Sequence, residues 1–131
     1  MNQPQLFTYE SLSSKSITHQ IAMLKPNQSN LELMFIILEK LRDRRTKTNV
    51  LITTYLVADS TGSVHCNFYE DFGAELQEGD IVYANGYTTN LYNSRLVLYQ
   101  GKVSKSFIIG KFMLEYTTEP HMSAVETINI D

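Results

Sequence analysis

Tryptophan is absent from the 131 residues, and cysteine occurs once, at Cys66. A single cysteine excludes an intramolecular disulfide and a cysteine-based zinc site, and makes an intracellular setting the expectation. The longest apolar run, 33–38, is far shorter than the ~20 residues that a membrane-spanning helix needs, so no membrane partner is expected. Residues 1–20 are polar and rich in Ser and Thr, without the apolar stretch of a secretory signal, and neither end carries a lipidation motif. A basic excess is missing as well. Eleven Lys and Arg stand against 14 Asp and Glu, for a net charge of -3. The uniform positive balance of many nucleic-acid binders is therefore lacking, and only a local basic stripe can serve that purpose.

Recognisable catalytic apparatus is also lacking. No phosphate-binding loop, dinucleotide fingerprint or nucleophile elbow occurs. His19, His65 and His121 are widely separated, with no cysteine or carboxylate at metal-ligand spacing. Cys66 shares the parity of Val64 and Phe68, which reads as core. Glu70 and Asp71 suit the first turn of a helix better than acid–base chemistry. The expectation is a binding protein without metal, cofactor or small-molecule substrate, and not an enzyme.

What is present is one domain's worth of short strands. The length fits a single domain, and 43% hydrophobic residues suffice for one core. Residues 31–39 read as a first strand, and 40–49 as a basic connection that extends it as a β-arm. Residues 50–58 form a second strand, ended by the turn Asp59-Ser60-Thr61-Gly62. In 63–69, Val64, Cys66 and Phe68 alternate with His65, Asn67 and Tyr69, giving one apolar and one polar-aromatic face. A short helix at 70–76 follows, with Phe72 and Leu76 four residues apart. Strands at 81–87 and 95–100 flank a hairpin loop at 88–94, and an apolar segment at 107–116 closes the barrel or packs on its flank. Five or six strands with one short helix between the third and fourth is the order of an all-β OB-fold barrel. The domain is expected at 21–118. A flexible extension at 1–20, in which Leu6, Phe7, Tyr9 and Leu12 could pack as a short helix, precedes it, and a tail at 119–131 follows.

Two clusters then stand out. Tyr69, Tyr87, Tyr92 and Tyr99 fall at strand ends and in the hairpin loop, where aromatic faces can stack on unpaired bases. Arg42, Arg44, Arg45 and Lys47 crowd the first long connection, and Arg95 opens the strand at 95–100 with Lys102 just past its end, as candidate phosphate contacts. The plainer alternative stays open: tyrosine is a good strand residue, and a charge run is usually a solvated arm. Single-stranded DNA is the expected ligand. Single-stranded RNA, or a role as a protein scaffold with little nucleic-acid binding, are the alternatives.

An ordered set of segments sharpens this reading. Leu24-Lys25-Pro26, Asn30-Leu31, Phe35-Ile36-Ile37-Leu38-Glu39 and Val57-Ala58-Asp59-Ser60-Thr61-Gly62-Ser63 resemble the OB-fold subunit family of the sensor-of-single-stranded-DNA (SOSS) complex. Gly79-Asp80-Ile81, Gly86-Tyr87 and Leu96-Val97-Leu98-Tyr99 follow that family in order and spacing. The resemblance implies one OB-fold, work in the nucleus in the DNA damage response, and a large helical scaffold protein, shared with the Integrator complex, as partner. It also implies base stacking at positions that fall on Tyr69, Tyr87, Tyr92 and Tyr99. Tyr69 stands where the family has tryptophan. Tyr83 and Asn85 stand where members often carry basic residues, which implies weaker affinity.

Overall fold

The alternating pattern of the first strand is broken twice, and those breaks shape the molecule. In the computed structural model, which describes residues 17–124, β1 (Leu31–Arg45) is one long strand with irregularities at Leu38 and Leu41. Each break inserts an unpaired residue, bends the strand and increases its twist. The first half of β1 thus lies antiparallel to β4 (Asp80–Tyr92), and the second half antiparallel to β2 (Leu51–Asp59). The sheet continues through β3 (Gly62–Tyr69) and β5 (Arg95–Tyr99) back to β4, which closes the barrel. β3 and β5 run parallel, and the other pairs are antiparallel.

β6 (Lys105–Lys111) pairs with the first half of β4, Asp80–Asn85, and β5 with its second half, Thr88–Tyr92. The switch occurs at Gly86, where φ is +84°. A Cβ there would meet the Val103 carbonyl oxygen at 2.7 Å, and one on Gly101 would meet the Gly86 carbonyl oxygen at 2.1 Å. Only two glycines allow the β5–β6 connection to cross this close to β4.

The interior is aromatic at its centre. Phe68 lies 5.7 Å from Tyr55, 5.8 Å from Phe72 and 6.2 Å from both Phe35 and Tyr87, between ring centroids. The helix α1 (Glu70–Glu75) covers one end, and the Tyr55 hydroxyl donates to the Gly73 carbonyl there at 2.7 Å. A 3-10 helix (Ile21–Met23) is held by the turn after β2: Asp59 Oδ2 accepts from the Ile21 N–H at 3.0 Å, and Thr61 Oγ1 accepts from the Ala22 N–H at 2.9 Å.

Both expected ends are drawn in. Thr18 and His19 hydrogen-bond to Glu32. Residues 117–124, expected in part as a tail, return along β3: Ser63 N–H donates to Pro120 O at 3.0 Å and Met122 N–H to Ser63 O at 2.7 Å. Ser123 is fully buried, accepting from the His65 N–H at 2.8 Å and donating to the Leu96 carbonyl. It ties β3 to β5 where the two diverge. The rest of the expected extension (1–16), with its short helix, and of the expected tail (125–131) lies outside the described residues.

A second departure concerns the loop expected at 88–94. β4 continues to Tyr92, and only Asn93 and Ser94 turn, with φ of 53° and 64°. Two successive left-handed residues match the twist of the flanking strands in a tight hairpin.

Candidate nucleic-acid interface

Residues that pair across the sheet share a face, so the register shows which side chains gather. One outward row runs Arg42, Thr54, Asn67, Tyr99 and Thr88 across five strands. The next row holds Arg44, Ile52 and Tyr69, and the row on the other side Leu56, His65, Val97 and Asn90. Tyr92 and Arg95 pair at the tip of the β4–β5 hairpin.

Two adjoining grooves open on this face. The larger, of about 660 Å³, runs between the β1–β2 turn and the end of β5, lined by Val50, Ile52, Tyr69, Tyr99, Gln100 and Lys102, among others. The second, of about 410 Å³, is lined by Arg42, His65, Tyr92, Asn93, Arg95 and Val97. Among the described residues, neither lining contains a carboxylate, although acids outnumber bases in the chain.

The tyrosines are held from the backbone. Where the β3–β5 ladder ends, Gln100 N–H still donates to Asn67 O at 3.0 Å, and Gln100 Oε1 accepts from the Tyr69 N–H at 2.8 Å. Beneath them the Thr54 hydroxyl donates to Asn67 Oδ1 at 2.5 Å, which satisfies a buried polar pair. Burial raises the Tyr69 and Tyr99 hydroxyls above their ordinary range, and the nearby Arg44 charge partly opposes this. Both rings stay half-buried, and Tyr92 is 50% exposed.

His65 adds a titratable group that sequence spacing did not bring into the site. Its pKa is lowered to about 4, first by burial, then by the charges of His121, Arg42 and Arg95. His121 lies far away in sequence, but the returning C-terminal segment brings the two rings to 5.1 Å. Among the described residues, no three His, Cys, Asp or Glu side chains gather to hold a metal ion. Cys66 is fully buried, which pushes its thiol well up.

Of the ten expected site residues, Tyr69, Tyr92, Tyr99, Arg42, Arg44, Arg95 and Lys102 gather around the grooves. Tyr87 does not. It is 0% exposed, packed edge-on against Phe35 and Phe68, with its hydroxyl 2.6 Å from Ser106 Oγ. Burial pushes that hydroxyl far up, and the ring offers no free face to a base. The cause is Gly86: as the unpaired residue between Asn85 and Tyr87, it reverses the alternation of β4. Arg45 also leaves the site. It pairs with Leu51, on the side opposite Arg44, and its guanidinium donates to the Asn49 carbonyl at 3.3 Å within the turn. Lys47 is exposed at the turn's tip, outside both linings.

Tyr83 and Asn85 lie on another face of the barrel. The Tyr83 hydroxyl donates to Glu32 Oε2 at 2.5 Å, so the absence of basic residues there leaves the grooves unaltered. Thr88, Asn90 and Gln100 line the larger groove and were not expected in it. The glycine before them is the one signal that could have moved them to this side.

No protein-family model matches the chain. Among solved structures, the chain is similar to a hypothetical protein from Arabidopsis thaliana, with a TM-score of 0.72 and 15% identity over 100% of this chain and 97% of the other. It is also similar to a replication factor A related protein from Methanobacterium thermoautotrophicum (TM-score 0.57, 14% identity, covering 70% and 89%). A third likeness is to the OB domain of a Thermoplasma acidophilum protein (TM-score 0.57, 16% identity, covering 69% and 84%). The chain has an OB fold. At these identities the likeness establishes the architecture alone, and the six strands with one short helix after β3 agree with it.

Proposed function

We propose that this OB domain binds single-stranded nucleic acid, with DNA as the physiological ligand, across the face of Tyr69, Tyr92 and Tyr99. One observation carries the reading: three tyrosines and four cations surround two adjoining grooves whose linings, among the described residues, hold no carboxylate. Bases stack on Tyr69 and Tyr99 in the larger groove and on Tyr92 at the hairpin. Arg42, Arg44, Arg95 and Lys102 meet the phosphates. The replication factor A related protein among the structural likenesses supports the reading, as does the resemblance to the OB-fold subunits of the SOSS complex. That resemblance extends the proposal to the nucleus, to DNA damage repair and to a helical scaffold partner. The domain acts by binding, not by catalysis.

Stacking on an aromatic platform contributes about 1–3 kcal/mol per base. A Tyr69→Ala, Tyr99→Ala double variant therefore loses oligonucleotide affinity by about thirtyfold or more, with its thermal unfolding still cooperative. Tyr87→Phe keeps the wild-type affinity, because that ring belongs to the core. Equal binding by the double variant and the wild type would refute stacking on this face.

A further inference from the structure

The tyrosine face ends abruptly along β3. Val64, Cys66 and Phe68 enter the core, so the odd-numbered residues between and beside them point outward. Of these, Tyr69 lines the larger groove and His65 the second. The next outward position, Ser63, is only 1% exposed. Its hydroxyl donates to the Thr118 carbonyl at 2.8 Å, and Pro120 and Met122 bond to its backbone. The returning C-terminal segment thus lies over the sheet directly beyond His65, and its His121 ring stands 5.1 Å from the His65 ring. An oligonucleotide that fills both grooves runs along β3 from Tyr69 toward His65 and meets this segment there.

Cationic groups converge at this closed end. Arg42 of β1 and Arg95 of β5 line the second groove with His65, and Tyr92 and Asn93 form its hairpin side. Among the described residues, neither guanidinium has a hydrogen bond or an ion pair, and neither ring nitrogen of His65 has a hydrogen bond. After burial, the charges of His121, Arg42 and Arg95 lower the His65 pKa, the mark of a positive field with no counter-charge beside it. Leu56, the β2 neighbour of His65, brings no charge. An internal phosphodiester carries about one negative charge. A terminal phosphomonoester carries nearly two at pH 7, on about three strong acceptor oxygens. Two guanidinia beside a neutral imidazole, which can still donate through one nitrogen, match the second better.

We infer that the second groove is an end site: it takes the terminal phosphomonoester of a single-stranded oligonucleotide, held by Arg42, Arg95 and His65 against the returning segment at His121. The inference rests on single-strand binding across the tyrosine face, and gives that binding a direction and a stop. Tyr92, which pairs with Arg95 on the hairpin side of the same groove, is placed for the terminal base. Tyr69 and Tyr99 then take bases further from the end.

Tyrosine quenching of the full-length chain tests this with three forms of one short oligo-dT: 5′-phosphorylated, 3′-phosphorylated and unphosphorylated. One phosphorylated form should bind about tenfold or more tighter than the unphosphorylated one, as added charge-assisted hydrogen bonds require. The end that gains gives the direction of the bound oligonucleotide. An Arg42→Gln, Arg95→Gln double variant should bring the three affinities together, and both side chains are exposed, so the fold should survive. Equal affinities for the three forms on the wild type would overturn the end site and leave single-strand binding standing. An equal gain from a phosphate at either end, or a gain that persists in the double variant, would mark charge attraction without a site and overturn it too. Quenching by none of the three would overturn single-strand binding itself.

Discussion

His65 shows how much a residue's neighbours decide. Burial and the charges of Arg42, Arg95 and His121 hold its imidazole neutral at pH 7, with a pKa near 4 against about 6.5 for an unperturbed histidine. Because the folded pKa is the lower one, the unfolded chain takes up this proton first as pH falls. The stabilisation is therefore full above pH 6.5 and is lost as pH falls from 6.5 through 4. In urea titrations between these values, His65→Gln should lose stability less steeply than the wild type. Parallel pH profiles would contradict the assignment. A phosphate seated between Arg42 and Arg95 would favour the charged imidazole, so wild-type affinity should also rise as pH drops from 7 toward 5. Tyr69 and Tyr99 belong to this scale too, since Gln100 holds the strand ends that present their rings.

At the scale of the element, the strands were legible in the sequence because alternation survives wherever no residue is inserted. β3 and β5 follow the expected parity, which is why Tyr69, Tyr99 and Cys66 fall where the pattern put them. β4 does not. Alternation read through Gly86 puts Tyr87 outside, and one unpaired residue turns it inward and carries Thr88 and Asn90 to the groove. Long-range contacts were equally hidden. Nothing local to His121 or Ser123 announces that residues 117–124 return to β3, because that segment is bound by backbone and hydroxyl groups with no apolar pattern. The turn Asp59-Ser60-Thr61-Gly62 was legible as a turn, but its further work was not. Asp59 accepts from the Thr61 N–H at 2.8 Å, the Thr61 hydroxyl at 2.6 Å and the Ile21 N–H at 3.0 Å. The segment that contributes to the family resemblance is thus a clip for the 3-10 helix and lies outside both groove linings. Hydrogen bonds to a charged group contribute about 1.5–3 kcal/mol each. Asp59→Ala should cost at least that much in urea denaturation and leave oligonucleotide affinity of the folded protein unchanged. A variant as stable as the wild type would contradict the clip.

At the scale of the whole molecule, the proposed anionic ligand and the acidic chain are reconciled by segregation of charge. The net charge of -3 is an average over a surface on which the two grooves of the tyrosine face hold cations and tyrosines and, among the described residues, no carboxylate. Lys40 is engaged by Asp43, 3.0 Å away on the far side of the β-arm, and Arg45 by its own turn, whereas Arg42, Arg44, Arg95 and Lys102 stand around the two grooves, where the proposed phosphate contacts fall. The most direct measurement is a titration of the full-length chain with short oligo-dT and oligo-U at two salt concentrations, read by quenching of its eight tyrosines. Four phosphate contacts to a single strand give a log–log salt slope of about -3, or roughly a fiftyfold loss of affinity between 50 and 200 mM salt. Saturable quenching by oligo-dT with that slope, and weaker quenching by oligo-U, is the predicted result. No quenching by either strand at low salt would contradict the account.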